Sequence, residues 1–111
     1  MGNNVTPDFK IKEKSLFARI GAWKLGSVKM AMTIGNTIHL HNTSRDEFLR
    51  DERWLRHELK HVEQYRRYGF VNFLWKYTVE SILKGYYNNR FEKEARSAES
   101  EPKISATESE L

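Results

Sequence analysis

Apolar residues recur along this chain with two different periods. From about Glu13 to Leu25, Leu16, Phe17, Ile20 and Trp23 return at helical spacing with Ala18 and Ala22 between them. Gly26 stands where a left-handed cap would close that helix. The period then shortens. Val28 to Ile34 and Thr37 to His41 are β-rich runs separated by Gly35-Asn36, the mark of a hairpin. In the second run Ile38 and Leu40 alternate with Thr37, His39 and His41, so one face is apolar and the other carries both histidines.

Helical spacing returns after Asn42. Ser44 with Glu47 fits a capping box, and the pattern runs from Asp46 to Tyr68 with a break near Asp51, closed by Gly69. On this helix Leu55, Leu59 and Val62 fall roughly 140–200° round from His57, whereas Trp54, His57, His61, Tyr65 and Tyr68 fall within roughly 80°. One side is predicted to be buried and the other to line a site. Phe70 to about Lys84 is a second strong helix, whose stripe of Val71, Leu74, Trp75, Thr78, Val79 and Ile82 reads as core; Gly85 ends it. Tyr86 to Asn89 forms a turn, and a last helix from about Arg90 to Glu99 carries Phe91, Glu92, Glu94, Ala95 and Ala98. Residues 1–12 read as a flexible lead-in and 101–111, rich in Ser, Thr, Ala and Glu, as a disordered tail. The expected fold is α+β and mostly helical, one domain over 13–100: N-terminal helix, small hairpin, central helix, second long helix, and a C-terminal helix bearing glutamates.

Composition narrows the chemistry. The 111 residues include no cysteine, so disulfides and thiolate metal sites are excluded, and any metal must be held by His, Asp or Glu. Residues 1–90 hold 16 Lys and Arg against 9 Asp and Glu; residues 91–111 hold 3 against 6. A basic body admits an adaptor for nucleic acid or an anionic membrane. Yet Arg50, Arg53, Arg56, Lys60, Arg66 and Arg67 spread around their helix, so no nucleic-acid partner is expected. No apolar run is long enough to span a bilayer and no signal-like segment opens the chain, so the expected location is cytoplasmic.

The chemistry concentrates in His57-Glu58-Leu59-Lys60-His61, an H-E-x-x-H sequence. At about 100° per residue the two histidines lie roughly 40° apart, one turn above the other, and can both reach one Zn²⁺ at about 2.0–2.1 Å. Glu58 sits beside the metal, where a carboxylate can take a proton from bound water. Two histidines leave a catalytic zinc one protein ligand short. No histidine follows His61, and the downstream helix offers Glu92 or Glu94.

The order hairpin, H-E-x-x-H helix, second helix, glutamate helix resembles the gluzincin metallopeptidases. It is most similar to small, poorly characterised bacterial gluzincin-like domains with H-E-L-x-H-V-x-Q, a Y-G-F-like segment and a late N-N-x-x-E-x-E-A element. Here these are His57 to Gln64, Tyr68-Gly69-Phe70 and Asn88 to Ala95, within a resemblance covering roughly 28–99. It implies a minimal zincin core with His57, His61 and Glu92 as zinc ligands, Glu94 in reserve, and Glu58 as general base. Arg96 stands where such families place the Asp or Asn that orients a histidine, and Lys60 and Glu63 are charged where stricter protease patterns are not. The implied activity is zinc-dependent hydrolysis of a peptide or protein substrate. From the residues themselves, the strand Thr37 to His41 is the expected place for an extended peptide to pair, and with so short a chain to close a cleft either a partner protein presents the substrate or the activity is weak. Tyr65, Tyr86 and His39 are the candidates to contact substrate or stabilise an oxyanion. The alternative is a catalytically silent, zinc-stabilised protein-interaction module.

Overall fold

The computed structural model describes residues 8–101 and 107–108. Strands β1 (Asp8–Lys12), β2 (Met30–Ile34), β3 (Thr37–His41) and β4 (Thr107–Glu108) form one sheet in the order β2-β3-β1-β4. The β2–β3 pair is the expected antiparallel hairpin, with Ala31 opposite Leu40 and Thr33 opposite Ile38. β1 adds in parallel to β3. The expected flexible lead-in is therefore corrected over Asp8–Lys12: Phe9 is buried, and Phe9-Lys10-Ile11 alternates as a half-buried strand should. The rest of that lead-in, 1–7, lies outside the described residues, as does the expected disordered tail except for residue 101 and the two residues of β4, which pair with Asp8 and Phe9.

Five helices follow the expected order: α1 (Leu16–Leu25), α2 (Arg45–Arg50), α3 (Glu52–Tyr68), α4 (Phe70–Asn88) and α5 (Arg90–Ala98). The chain is an α+β fold, as its periodicities predict. Ser44 and Glu47 make the capping box that starts α2, and the Asp51 side chain caps α3 at Trp54 N–H. Two glycines shape the helical layer. Gly69 (φ 85°, ψ 155°) turns the chain between α3 and α4, and Gly85 (φ 81°, ψ 163°) kinks α4 one turn before its end. That combination of angles is open only to glycine.

The sheet separates two unlike layers. Phe9, Ala31, Ile38 and Leu40 pack against Phe48, Leu55, Leu59 and Val62 of α2 and α3, forming the main core. A second cluster of Tyr65, Phe73 and Phe91 joins α3, α4 and α5. α1 covers the sheet's opposite face, but not as its pattern suggests. It buries Ala18 and Ala22 and leaves Leu16, Phe17, Ile20 and Trp23 exposed. The small residues let the helix approach closely, with Gly21 against the Met30 and Met32 side chains, and the large residues splay outward.

The expectation that the α4 stripe is core is likewise corrected. Val71 is 77% exposed, Trp75 68% and Ile82 77%, while Phe73 alone is fully buried on that helix. The face that α3 and α5 cover is centred on Phe73 and Tyr77, so the 3–4 periodicity marks a true apolar stripe but not the one that is buried.

Candidate metal centre

Helix α3 carries the H-E-x-x-H residues on the side away from Leu55 and Leu59, and α5 lies across that side. Asn89 secures the crossing. Fully buried, it accepts from Phe91 N–H to cap α5 and donates to the Tyr77 carbonyl (3.1 Å) and the Ser81 hydroxyl (2.9 Å) of α4. Glu92, in the first turn of α5, is thereby brought against both histidines. His57 Nε2 lies 3.0 Å from Glu92 Oε1, and His61 Nε2 lies 3.2 Å from Glu92 Oε2. Ligand atoms of His57, His61 and Glu92 all fall within 4.8 Å of one another, a group that can hold a metal ion. Ligands at about 2.0–2.1 Å in a tetrahedron stand about 3.3 Å apart, close to these separations.

The outer ring nitrogens are also held. His57 Nδ1 is 2.8 Å from Glu99 Oε2, and His61 Nδ1 is 2.8 Å from Gln64 Oε1. Gln64 donates its amide to the Phe91 carbonyl (3.1 Å) and to Glu94 Oε1 (2.7 Å), so its oxygen is left to accept. A carboxylate oxygen and an amide oxygen accept only, so each Nδ1 carries a proton and each Nε2 of a neutral ring presents a lone pair. Both lone pairs then face the Glu92 carboxylate, another acceptor. Such convergence is stable only around a cation.

Without a metal, protons take that place. Burial acts to lower the His57 pKa, but the hydrogen-bonded Glu92, with Glu58 and Glu99, outweighs it and raises the value to about 9. His61 is raised in the same way, against burial, by Glu92 and Glu58. Burial disfavours ionised Glu92, yet the two histidines and the Tyr77 hydroxyl, which donates to Oε2, hold it well below the usual carboxylate range. Glu58 is different. Burial raises its pKa, opposed by the histidine charges and by Thr33, whose hydroxyl donates to Oε1 at 2.8 Å.

The candidate residues thus separate. His57, His61 and Glu92 converge with Glu58 close enough to interact with all three, whereas Glu94 binds Gln64 and approaches Arg67 rather than joining them. Tyr86, just past the Gly85 kink, reaches the site: burial, Glu92 and Glu58 all raise its phenol pKa. Tyr65 does not line it. Its ring packs on Phe70 and Phe73, and its hydroxyl meets the Gly35 backbone. His39 lies on the α1 face of the sheet, buried with Nδ1 2.7 Å from the Ser15 hydroxyl and edge-on to Phe17. The strand proposed to pair with substrate, Thr37–His41, has β2 on one edge and β1 on the other, so no edge is free there.

A sequence model of the eCIS core domain matches residues 27–69. The match takes in the hairpin, α2, α3 and Gly69, and therefore His57, Glu58 and His61, but stops short of Tyr77 and Glu92. No curated protein and no solved structure matches the chain significantly.

Two residues at the centre have no counterpart among the sequence-derived candidates. Tyr77 carried no signal beyond membership of an aromatic helix. Glu99 had one: it stands seven residues after Glu92, two helical turns on and so on the same face. It supplies the carboxylate on His57 that Arg96 cannot; Arg96 instead bonds the Tyr87 carbonyl and stacks on that ring.

Proposed function

We propose that this domain is a zinc-dependent peptidase, with His57, His61 and Glu92 as ligands and Glu58 as general base. The observation that carries the reading is the convergence of two Nε2 lone pairs and a carboxylate, each oriented from behind, beside a buried second carboxylate. Neutral nitrogen and carboxylate ligands suit zinc, and three of them leave a position for water. When bound, zinc supplies a Lewis acid for the water and for the substrate carbonyl.

The residues around it do the rest. Thr33 engages Glu58 Oε1, leaving Oε2 to take the water's proton and deliver it to the leaving amine. Burial raises the Glu58 pKa in the metal-free chain, the direction that helps a carboxylate hold a proton between taking it and passing it on. Tyr86, held protonated, donates to the carbonyl oxygen as charge develops there. The outer strand β2, which carries Thr33, offers the sheet edge on which an extended peptide would pair.

Elemental analysis of protein purified without a His-tag or chelator tests the metal, with about one zinc per chain expected. Hydrolysis of a fluorogenic peptide library by wild type and Glu58→Gln tests the chemistry. Retained zinc with lost hydrolysis in the variant is expected; equal hydrolysis in both would overturn the role of Glu58.

The alternative, a silent module in which zinc pins α5 to α3, draws on the same ties between the two helices and on the similarity to the eCIS core domain, whose name points to a protein assembly. It is favoured if zinc binds stoichiometrically, Glu92→Ala unfolds the domain, and neither wild type nor Glu58→Gln cleaves any peptide.

A further inference from the structure

The outward face of α1 combines large exposed apolar residues with cations at its borders. At about 100° per residue, Trp23, Leu16 and Ile20 form a ridge roughly 60° wide, directly opposite the buried Ala18 and Ala22. Trp23 is 81% exposed, Leu16 64% and Ile20 51%. Arg19 borders the ridge on one side and Lys24 on the other, and the helix holds no acidic residue. Lys12 and Lys14, both exposed, lead into it with Glu13 between them, whose carboxylate accepts from the Arg45 N–H, and Val28 and Lys29, also exposed, follow it. Among the described residues Lys14, Arg19 and Lys24 have no acidic partner.

We propose that α1 docks this domain on an anionic bilayer surface, with Trp23, Leu16 and Ile20 entering the interface and Lys14, Arg19 and Lys24 meeting acidic headgroups. Unpaired cations bordering a Trp-Leu-Ile ridge complement a surface that is apolar below and negative above. The exposed stripe on α4 lacks this design. Lys84 and Arg90 near it are paired with Glu80, and Lys76 sits over the Tyr68 ring. α1 lies across the sheet from α3, so a membrane-bound domain would keep the metal centre on its far side. The inference is independent of the peptidase reading.

The full chain should co-sediment with phosphatidylcholine vesicles containing about one part in three phosphatidylserine, and Trp fluorescence should shift to the blue. Raising salt from about 0.1 M to about 0.5 M should weaken binding severalfold. Leu16→Ser/Trp23→Ser should weaken it at least about tenfold, the loss of two interfacial anchors. Arg19→Glu/Lys24→Glu should do so without touching apolar area. Circular dichroism should show both variants folded, and Trp75→Ser/Ile82→Ser on α4 should bind as wild type does.

Failure of wild type to bind these vesicles overturns the proposal. So does equal binding to pure phosphatidylcholine, or binding undiminished in both α1 variants. Dimerisation abolished by Leu16→Ser/Trp23→Ser in light scattering, with no vesicle binding, would overturn it in favour of a second copy of the chain as occupant.

Discussion

The contact between α3 and α5 and the outward faces of α1 and α4 are inverses of each other. In the first, Glu58, His61 and Glu92 are buried, His57 is half-buried beside them, and all four are held by directed hydrogen bonds. In the second, Trp23, Val71, Trp75 and Ile82 stand in solvent. Burying ionisable groups costs free energy unless they are paired, and exposing large apolar groups forgoes the stabilisation their burial would add. The first arrangement can hold a metal ion, and the second leaves large apolar area open to solvent.

The sharpest way to break the comparison is Glu92→Ala. It removes the carboxylate that gathers both histidines, so zinc binding by isothermal titration should fall well beyond about a hundredfold. Affinity within about tenfold of wild type would mean the ligands lie elsewhere. Within α4, Phe73→Ala should cost about 3–5 kcal/mol in urea denaturation, because its ring is buried among Tyr65, Tyr77 and Phe91. Glu99→Gln keeps the shape around His57 but replaces the charge on Nδ1; zinc affinity should drop about 10–100-fold with folding intact.

The fourth test is pH. In the metal-free chain the raised His57 pKa contributes stability that is complete below its unfolded value of 6.5 and lost as pH climbs through about 9. Glu92, held low, loses its contribution only in strong acid. Metal requires both rings deprotonated and binds more tightly as pH rises. The melting temperature with zinc should therefore exceed that with chelator by a margin that grows from pH 6 toward about 9; a constant margin would count against proton–metal competition at these rings. Smallest of all, Trp75→Ser on α4 should change stability by no more than about 0.5 kcal/mol, two positions from Phe73 and yet without a core to lose.

Much of the site was legible before folding. The H-E-x-x-H spacing on an amphipathic helix dictates that His57 and His61 share a face, and the missing cysteines and downstream histidines leave a carboxylate as the candidate for a third ligand. Choosing Glu92 over Glu94 from contacts takes the crossing of α5 over α3, which turns Glu94 to Gln64. The oxyanion candidates divide for the same reason. Tyr65 follows His61 by one turn, but the turn of the chain at Gly69 folds Phe70 and Phe73 onto it, while the Gly85 kink returns Tyr86 to the centre from a distant position in the chain.

Local rules, then, determined the helices, the hairpin, the capping box at Ser44 and the pairing of His57 with His61, because each depends on neighbours within a few residues. Only the tertiary structure decided which apolar stripes are buried. Periodicity reports that a face is apolar, not what lies against it: α1 presents small residues to the sheet and large ones to solvent, and α4 buries Phe73 while exposing Trp75. The placement of Tyr77 and Glu99 around two histidines and Glu92 is of the same kind. It depends on how two helices cross, which the packing of distant side chains sets and no local pattern encodes.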